Sequence, residues 1–166
     1  MSRPDPVALT QQLIRCPSVT PADEGALDVL ERALAGLGFT CVRLKLGHPP
    51  DGPVDNLIAT LADRQQGLGG PHFAFAGHSD VVPAGDLAGW SEDPFAGEVK
   101  NGFIVGRGAA DMKGALAAMI AATASHLAKG PLVGRLTFII TGDEEGPATF
   151  GTAPLLKWLE DRTSVV

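Results

Sequence analysis

Cysteine is scarce in this 166-residue chain, which has Cys16 and Cys41 and no others. One pair is no disulfide framework, so the expectation is two buried thiols in a reducing cytoplasm. The opening Met1-Ser-Arg-Pro-Asp-Pro6 lacks an apolar signal core. The longest apolar stretch of low charge, 114–124, is too short and too rich in alanine to span a bilayer, so no membrane is expected as a partner. No run of Lys or Arg occurs, and 19 acidic residues against 13 basic ones leave a net charge of −6. That balance disfavours nucleic acid and suits a cation wherever the acidic groups gather. Internal repeats and low-complexity tracts are missing too. So are a Gly-x-Ser-x-Gly elbow, a phosphate-cradling glycine loop ending in Lys-Ser/Thr, and a Cys-x-x-Cys pair. Serine-nucleophile chemistry and nucleotide binding are thereby disfavoured.

What the chain does have is enough length for one domain with a real core, 45% apolar residues, and many turn formers in its 21 Gly and 13 Pro. Asp5-Pro6 is a helix opening, followed by an apolar face of Val7, Leu9, Leu13 and Ile14. Thr20-Pro21-Ala22-Asp23 opens a second helix, whose Ala26, Val29, Leu30, Ala33, Leu34 and Leu37 keep helical spacing up to Gly36 and Gly38. Strands are expected over 39–46 and 56–61, with loops at 47–53 and 65–71. The run Phe73-Ala-Phe-Ala76 reads as a strand buried on both faces. An ordered loop is expected over 81–95, and Asn101-Gly102 marks a tight hairpin within 98–105. A small-residue helix is expected over 112–129, a buried strand over 135–141 and a last helix over 152–162. Helices alternating with apolar strands imply an α/β fold, a three-layer α/β/α arrangement around a mixed, mostly parallel sheet.

Three clusters bear chemistry, and each falls just after a strand pattern: His78 with Asp80, Asp111, and Asp143-Glu144-Glu145. Open α/β sheets bind ligands beyond the carboxyl ends of their strands. Asp111 stands where an apolar strand pattern ending at Val105 meets the small-residue helix. Alone it reads first as a helix cap. His78 and Asp80 leave one face of an extended chain, which suits a ligating imidazole steadied by a carboxylate; a turn histidine beside a capping aspartate is the alternative. Glu144 and Glu145 are adjacent and diverge, so one can hold a metal while the other moves a proton; a plain acidic loop is the alternative. Imidazole nitrogen and carboxylate oxygen are donors that zinc accepts, and two ions sharing one carboxylate make a bound water acidic. Hydrolysis of an amide or ester carbonyl follows, with a glutamate as general base. His48, His72 and His126 read as structural or solvent-facing.

The runs His78-Ser-Asp80, Gly106-Arg-Gly-Ala-Ala-Asp-Met-Lys-Gly114 and Asp143-Glu-Glu-Gly146 together resemble the di-zinc aminoacylase/carboxypeptidase family of metallopeptidases. Ile14-Arg-Cys-Pro-Ser-Val-Thr-Pro21, the stretch from His78 to Asp86 with Trp90 and Pro94-Phe95, and Asp143-Glu-Glu-Gly-Pro-Ala-Thr149 extend the resemblance over the whole chain. The last of these points toward family members that remove succinyl groups from small N-succinyl amino acids. The resemblance implies two Zn2+ or Co2+ ions. His78 would hold the first, Asp111 would bridge both and Glu145 would hold the second. Glu144 would be the general base, Asp80 the partner of His78, and the Asp111-Met112 peptide would be cis. It further implies that residues 1–166 are the N-terminal portion of a zinc-peptidase catalytic domain. A dimerising domain and the return of the catalytic domain, with a further glutamate and histidine for the metals, would lie elsewhere. Weak metal binding and little activity are then expected of this chain alone. Ser79 and Cys16 stand where the family pattern has Thr and Arg. Two other readings remain: a relative acting on another acyl group, such as acetylornithine or an N-acyl amino acid, and a truncated protein that binds or assembles without catalysis.

Overall fold

Asp5 begins the first helix as its spacing requires. Its carboxylate accepts the Val7 N–H at 3.0 Å, and proline takes the first helical position of α1 (Pro6–Ile14). The second helix, α2 (Ala26–Ala35), starts later than expected. Residues 20–25 form turns instead, because Asp23 spends its carboxylate on the N–H groups of Gly25 and Leu27. Strands β1 (Thr40–Leu46), β2 (Val54–Ala62) and β3 (His72–His78) follow, then a ribbon of β4 (Glu98–Lys100) and β5 (Phe103–Val105), helix α3 (Gly114–Leu127), strand β6 (Arg135–Thr141) and helix α4 (Thr152–Thr163). This computed structural model describes residues 4–63 and 70–163; the loop expected at 65–71 falls, up to residue 69, outside them.

The central sheet has the order β1-β2-β6-β3 among the described residues. It is mixed with helices on both faces, as expected, but only β3 and β6 pair in parallel; β1-β2 and β2-β6 are antiparallel. The reason is connection length. Parallel neighbours need a crossover, and α3 provides one between β3 and β6, whereas the short turn at 47–53 can only reverse the chain. Alternation along the strands builds two cores. Leu57, Ala59, Leu136, Phe138 and Ile140 face α1, α2 and α3, while Ile58 and Ile139 face Leu155 of α4 with Trp158 and Leu159 beside it. Three layers result.

Two further expectations fail. β3 is not buried on both faces: it lies at the sheet edge, and Phe73 is 60% exposed. The apolar run is real, but an edge strand has one neighbour, so a run of apolar residues there is left partly uncovered. The cysteines are half-buried, not buried, and both are free thiols. The hairpin forms as read, with Asn101 (φ 51) and Gly102 (φ 82) in the left-handed region that a tight reversal needs. No helix among the described residues is long and apolar enough to cross a membrane.

Candidate metal centre

The parallel pairing of β3 with β6 sets His78 directly opposite Thr141. Whatever follows each strand therefore emerges side by side at one end of the sheet. Beyond β3 come Ser79 and Asp80, and Ser79 N–H continues the ladder to the Thr141 carbonyl at 2.9 Å. Beyond β6 come Asp143, Glu144 and Glu145. Asp111 arrives by another route. The strand pattern before it is β5, part of the separate ribbon and not of the central sheet. Asp111 sits in an irregular turn, Ala109–Lys113, that leads into α3. Its backbone is extended (φ −128, ψ 100), and the Asp111-Met112 peptide is cis, as the motif implied. The simple cap role does not hold, since Asp111 directs its carboxylate to an imidazole.

That imidazole is His78, 5% exposed. Its Nδ1 lies 3.0 Å from the Asp80 carbonyl oxygen, which can only accept, so Nδ1 carries a proton. The Asp80 carboxylate is farther off, at 3.5 Å. With Nδ1 fixed, Nε2 faces the cluster: Asp111 Oδ1 at 3.0 Å and Glu144 Oε2 at 3.8 Å. Donor atoms of His78, Glu144 and Glu145 all lie within 4.8 Å of one another. Asp111 touches the same imidazole nitrogen and is 77% exposed, against 56% for Glu144, so the cluster opens to solvent among the described residues. Glu145 is half-buried beside a groove of about 260 Å³ walled by Val19, Thr20, Pro21, Val81 and Pro83.

The charges answer to this geometry. Burial alone would lower the His78 pKa, but hydrogen bonds to the carboxylate and carbonyl of Asp80 and to Asp111 outweigh it and carry the pKa up to about 9. Asp80 shows the opposite outcome. Burial would raise it, and hydrogen bonds from His78, Thr20 and the Glu145 and Glu144 amides hold it below the usual carboxylate value. Burial pushes the Glu145 carboxyl upward, with Asp111 and Glu144 adding repulsion against the attraction of His78. One oriented imidazole among three carboxylates is a donor set that fits a divalent cation, which would relieve this crowding of like charge.

Supporting residues come from places the spacing did not flag. The segment around Val19 runs parallel beside Val81 and brings Thr20 Oγ1 onto the Asp80 carboxylate. That carboxylate also accepts the N–H groups of Glu144 (3.2 Å) and Glu145 (3.0 Å). Met112 Sδ accepts the His78 N–H at 3.3 Å, an approach open because residue 77 is glycine: a Cβ there would stand 2.9 Å from Met112 Cε. Lys113 is fully buried and donates to the Cys16 carbonyl at 2.7 Å. The other histidines stay apart from the cluster, His72 on Thr137 and His48 near the Phe150 ring.

Known proteins resemble this chain in sequence and fold. Over 157 residues, 94% of this chain, it is 58% identical to a protein named succinyl-diaminopimelate desuccinylase from Rhodospirillum centenum. A protein of the same name from Rhizorhabdus wittichii is also 58% identical, over 158 residues. The chain spans only 39% of the length of each. Among solved structures, human carnosine dipeptidase 1 superposes with a TM-score of 0.73 at 26% identity, covering 96% of this chain and 36% of that one. The metallo-carboxypeptidase Sso-CP2 of Sulfolobus solfataricus reaches 0.76 at 21% identity, covering 99% and 35%, and shares the fold. Residues 74–165, which carry all three acidic and imidazole clusters, match the model of peptidase family M20/M25/M40, and the chain belongs to that family.

Proposed function

We propose that this chain is the N-terminal portion of the catalytic domain of a metal-dependent amide hydrolase. The reaction is removal of the succinyl group from N-succinyl-LL-2,6-diaminopimelate, giving succinate and LL-2,6-diaminopimelate. The observation that carries the reading is the convergence of His78, Glu144 and Glu145 donor atoms within 4.8 Å, with Asp111 on the same imidazole nitrogen. The identity to desuccinylases over 94% of the chain supports the substrate.

In this reading His78 and Asp111 would hold one Zn2+ or Co2+, and Asp111 and Glu145 would hold a second. Such ions supply Lewis acidity toward a carbonyl and make water a better nucleophile at neutral pH. Glu144 takes the proton from the attacking water and delivers it to the departing amine as the C–N bond breaks. Asp80 is a positioning residue: its carbonyl sets the His78 tautomer and its carboxylate holds the backbone of both glutamates. The whole enzyme is proposed to be a homodimer of the cytoplasm, its only partners besides a second copy being small N-succinyl amino acids.

A chimera tests this reading. The aligned 157 residues of the Rhodospirillum centenum protein are replaced by this chain, and succinate release from N-succinyl-LL-2,6-diaminopimelate is measured beside acetate release from N-acetylornithine. The expected result is turnover favouring the succinyl substrate, with Glu144→Gln lowering kcat by about 100-fold or more. A folded, metal-loaded chimera that releases no succinate overturns the assignment. The 166-residue chain alone is expected to hold metal weakly and to turn over little; activity equal to the chimera's would contradict that.

A further inference from the structure

We propose that Asp143 is a positioning residue that sets the Glu144-Glu145 pair by holding the backbone of the loop 143–150. The proposal rests on the functional reading above, because it gives Asp143 a task only if that pair serves a metal centre. Asp143 is adjacent to both glutamates in sequence, yet it takes no part in their cluster. It is 1% exposed and turns away into the loop. Its Oδ1 accepts the Ala148 N–H at 3.2 Å and its Oδ2 accepts the Phe150 N–H at 2.8 Å, while its own N–H donates to Thr141 Oγ1 at 3.0 Å.

Each contact closes the loop on itself. Ala148 has φ 58, a conformation an alanine disfavours, and the bond to Asp143 is what holds its N–H inward. The ends are tied to the sheet by Asn56, a buried residue of β2. Its Nδ2 donates to the Phe150 carbonyl at 3.1 Å and its Oδ1 accepts the Gly142 N–H at 3.4 Å. A loop clamped in this way has one place to put the amides of Glu144 and Glu145, and they meet the Asp80 carboxylate. Asp80 in turn fixes His78 through its carbonyl. One line of contacts therefore runs from Asp143 through the loop to Asp80 and the imidazole, coupling the two strand ends that carry the donors.

A carboxylate is required at 143 because both of its oxygens accept a backbone N–H. Asparagine has nearly the same shape but replaces one oxygen with an NH2, which would face an amide donor. Gly146 offers a second handle. A Cβ there would stand 2.7 Å from Asp143 Oδ1 and 2.7 Å from Thr20 Cγ2, displacing the carboxylate without removing it.

The test uses the chimera described above, which carries this chain with the rest of the enzyme, and the metal alone. Co2+ uptake is followed by visible absorption and Zn2+ by calorimetry, in the parent and in Asp143→Asn, Gly146→Ala and Glu145→Gln, with a thermal melt of each metal-free protein. Both D143N and G146A are expected to weaken cation binding about 10- to 100-fold and to change the Co2+ spectrum, while each metal-free protein keeps a single cooperative melt at a somewhat lower temperature. Parent-like affinity and spectrum in G146A and D143N overturn the proposal; should D143N fail to fold, G146A decides alone. A parent that takes up no cation, or an E145Q variant that binds as the parent does, overturns the functional reading and this proposal with it. Loss in E145Q alone, with D143N and G146A unaffected, overturns this proposal and leaves the reading standing.

Discussion

His78 carries a proton on each nitrogen in the metal-free protein: Nδ1 toward the Asp80 carbonyl and Nε2 toward Asp111. With its pKa raised from 6.5 to about 9, it is an imidazolium at neutral pH, and a cation must displace the Nε2 proton to bind. Apparent cation affinity should therefore fall about tenfold per unit as pH drops below 9, and binding near pH 7 should release about one proton. Calorimetry in buffers of different ionisation enthalpy counts that proton; affinity flat from pH 8 to 7 would contradict it. For the metal-free fold the sign is opposite. A raised pKa contributes stability in full below 6.5, and that stability is lost as pH rises through 9. At this scale the candidate donors His78, Asp111, Glu144 and Glu145 could be picked out because each follows an apolar run and carries a charged or imidazole group. Thr20 was not: its partner Asp80 is 60 residues away, and only folding brings the strip at Val19 beside Val81. Nor was the use of Asp80 as an acceptor for two backbone amides, since no pattern of side chains encodes where backbone N–H groups end up.

Helix α3 follows directly on Lys113, whose N–H closes the irregular turn on the Gly108 carbonyl and whose side chain is among the largest with no exposure at all. Burial brings its pKa down from 10.5 to about 8, against opposing pulls from Cys16, Asp23 and Asp80, and its ammonium has the Cys16 carbonyl as a hydrogen-bond partner. Between about 8 and 10.5 the unfolded chain then binds more protons than the folded one, so this lysine should make stability rise with pH across that window. Below pH 8 both states are protonated and the cost of the buried charge is felt in full. The difference in melting temperature between parent and Lys113→Met should thus shift in favour of the parent from pH 8 to pH 10. A difference that stays constant across those values would show that Lys113 is not the group titrating. The elements themselves followed their local signals closely, the Asp5-Pro6 opening and the Asn101-Gly102 reversal best of all, because capping and turn chemistry act within a few residues. What local signals missed was position in the sheet. An apolar run such as Phe73-Ala-Phe-Ala76 reads the same in the middle as at the edge, and the pairing order belongs to the tertiary fold. The run before Asp111 misled in the same way, since a strand in a detached ribbon has the same period as one in the central sheet.

For the whole molecule, the edge at β3 is the place where copies are expected to associate. β3 pairs on one side only among the described residues, and an unpaired edge is a template for another strand. Beside it Phe73 is 60% and Val133 64% exposed, and an apolar groove of about 530 Å³ runs between them and α3, lined also by Phe75, Leu132 and Leu136. This groove lies at the opposite end of β3 from the candidate metal centre. Opposing association is the net charge of −6, a repulsion between copies that weakens as salt shortens its range from about 10 Å at 0.1 M to about 3 Å at 1 M. Apolar burial is not screened in this way. The chain should therefore self-associate more strongly as salt rises, the reverse of what an association held by opposite charges would do. Phe73→Lys removes apolar area from the exposed edge and places a charge there, the device by which natural sheet edges avoid pairing. It should shift the chain toward monomer at every salt concentration, with little change in melting temperature because Phe73 contributes little buried area. Sedimentation velocity at two salt concentrations reads both effects. Association that declines with salt, or that is untouched by F73K, would place the contact on a different surface.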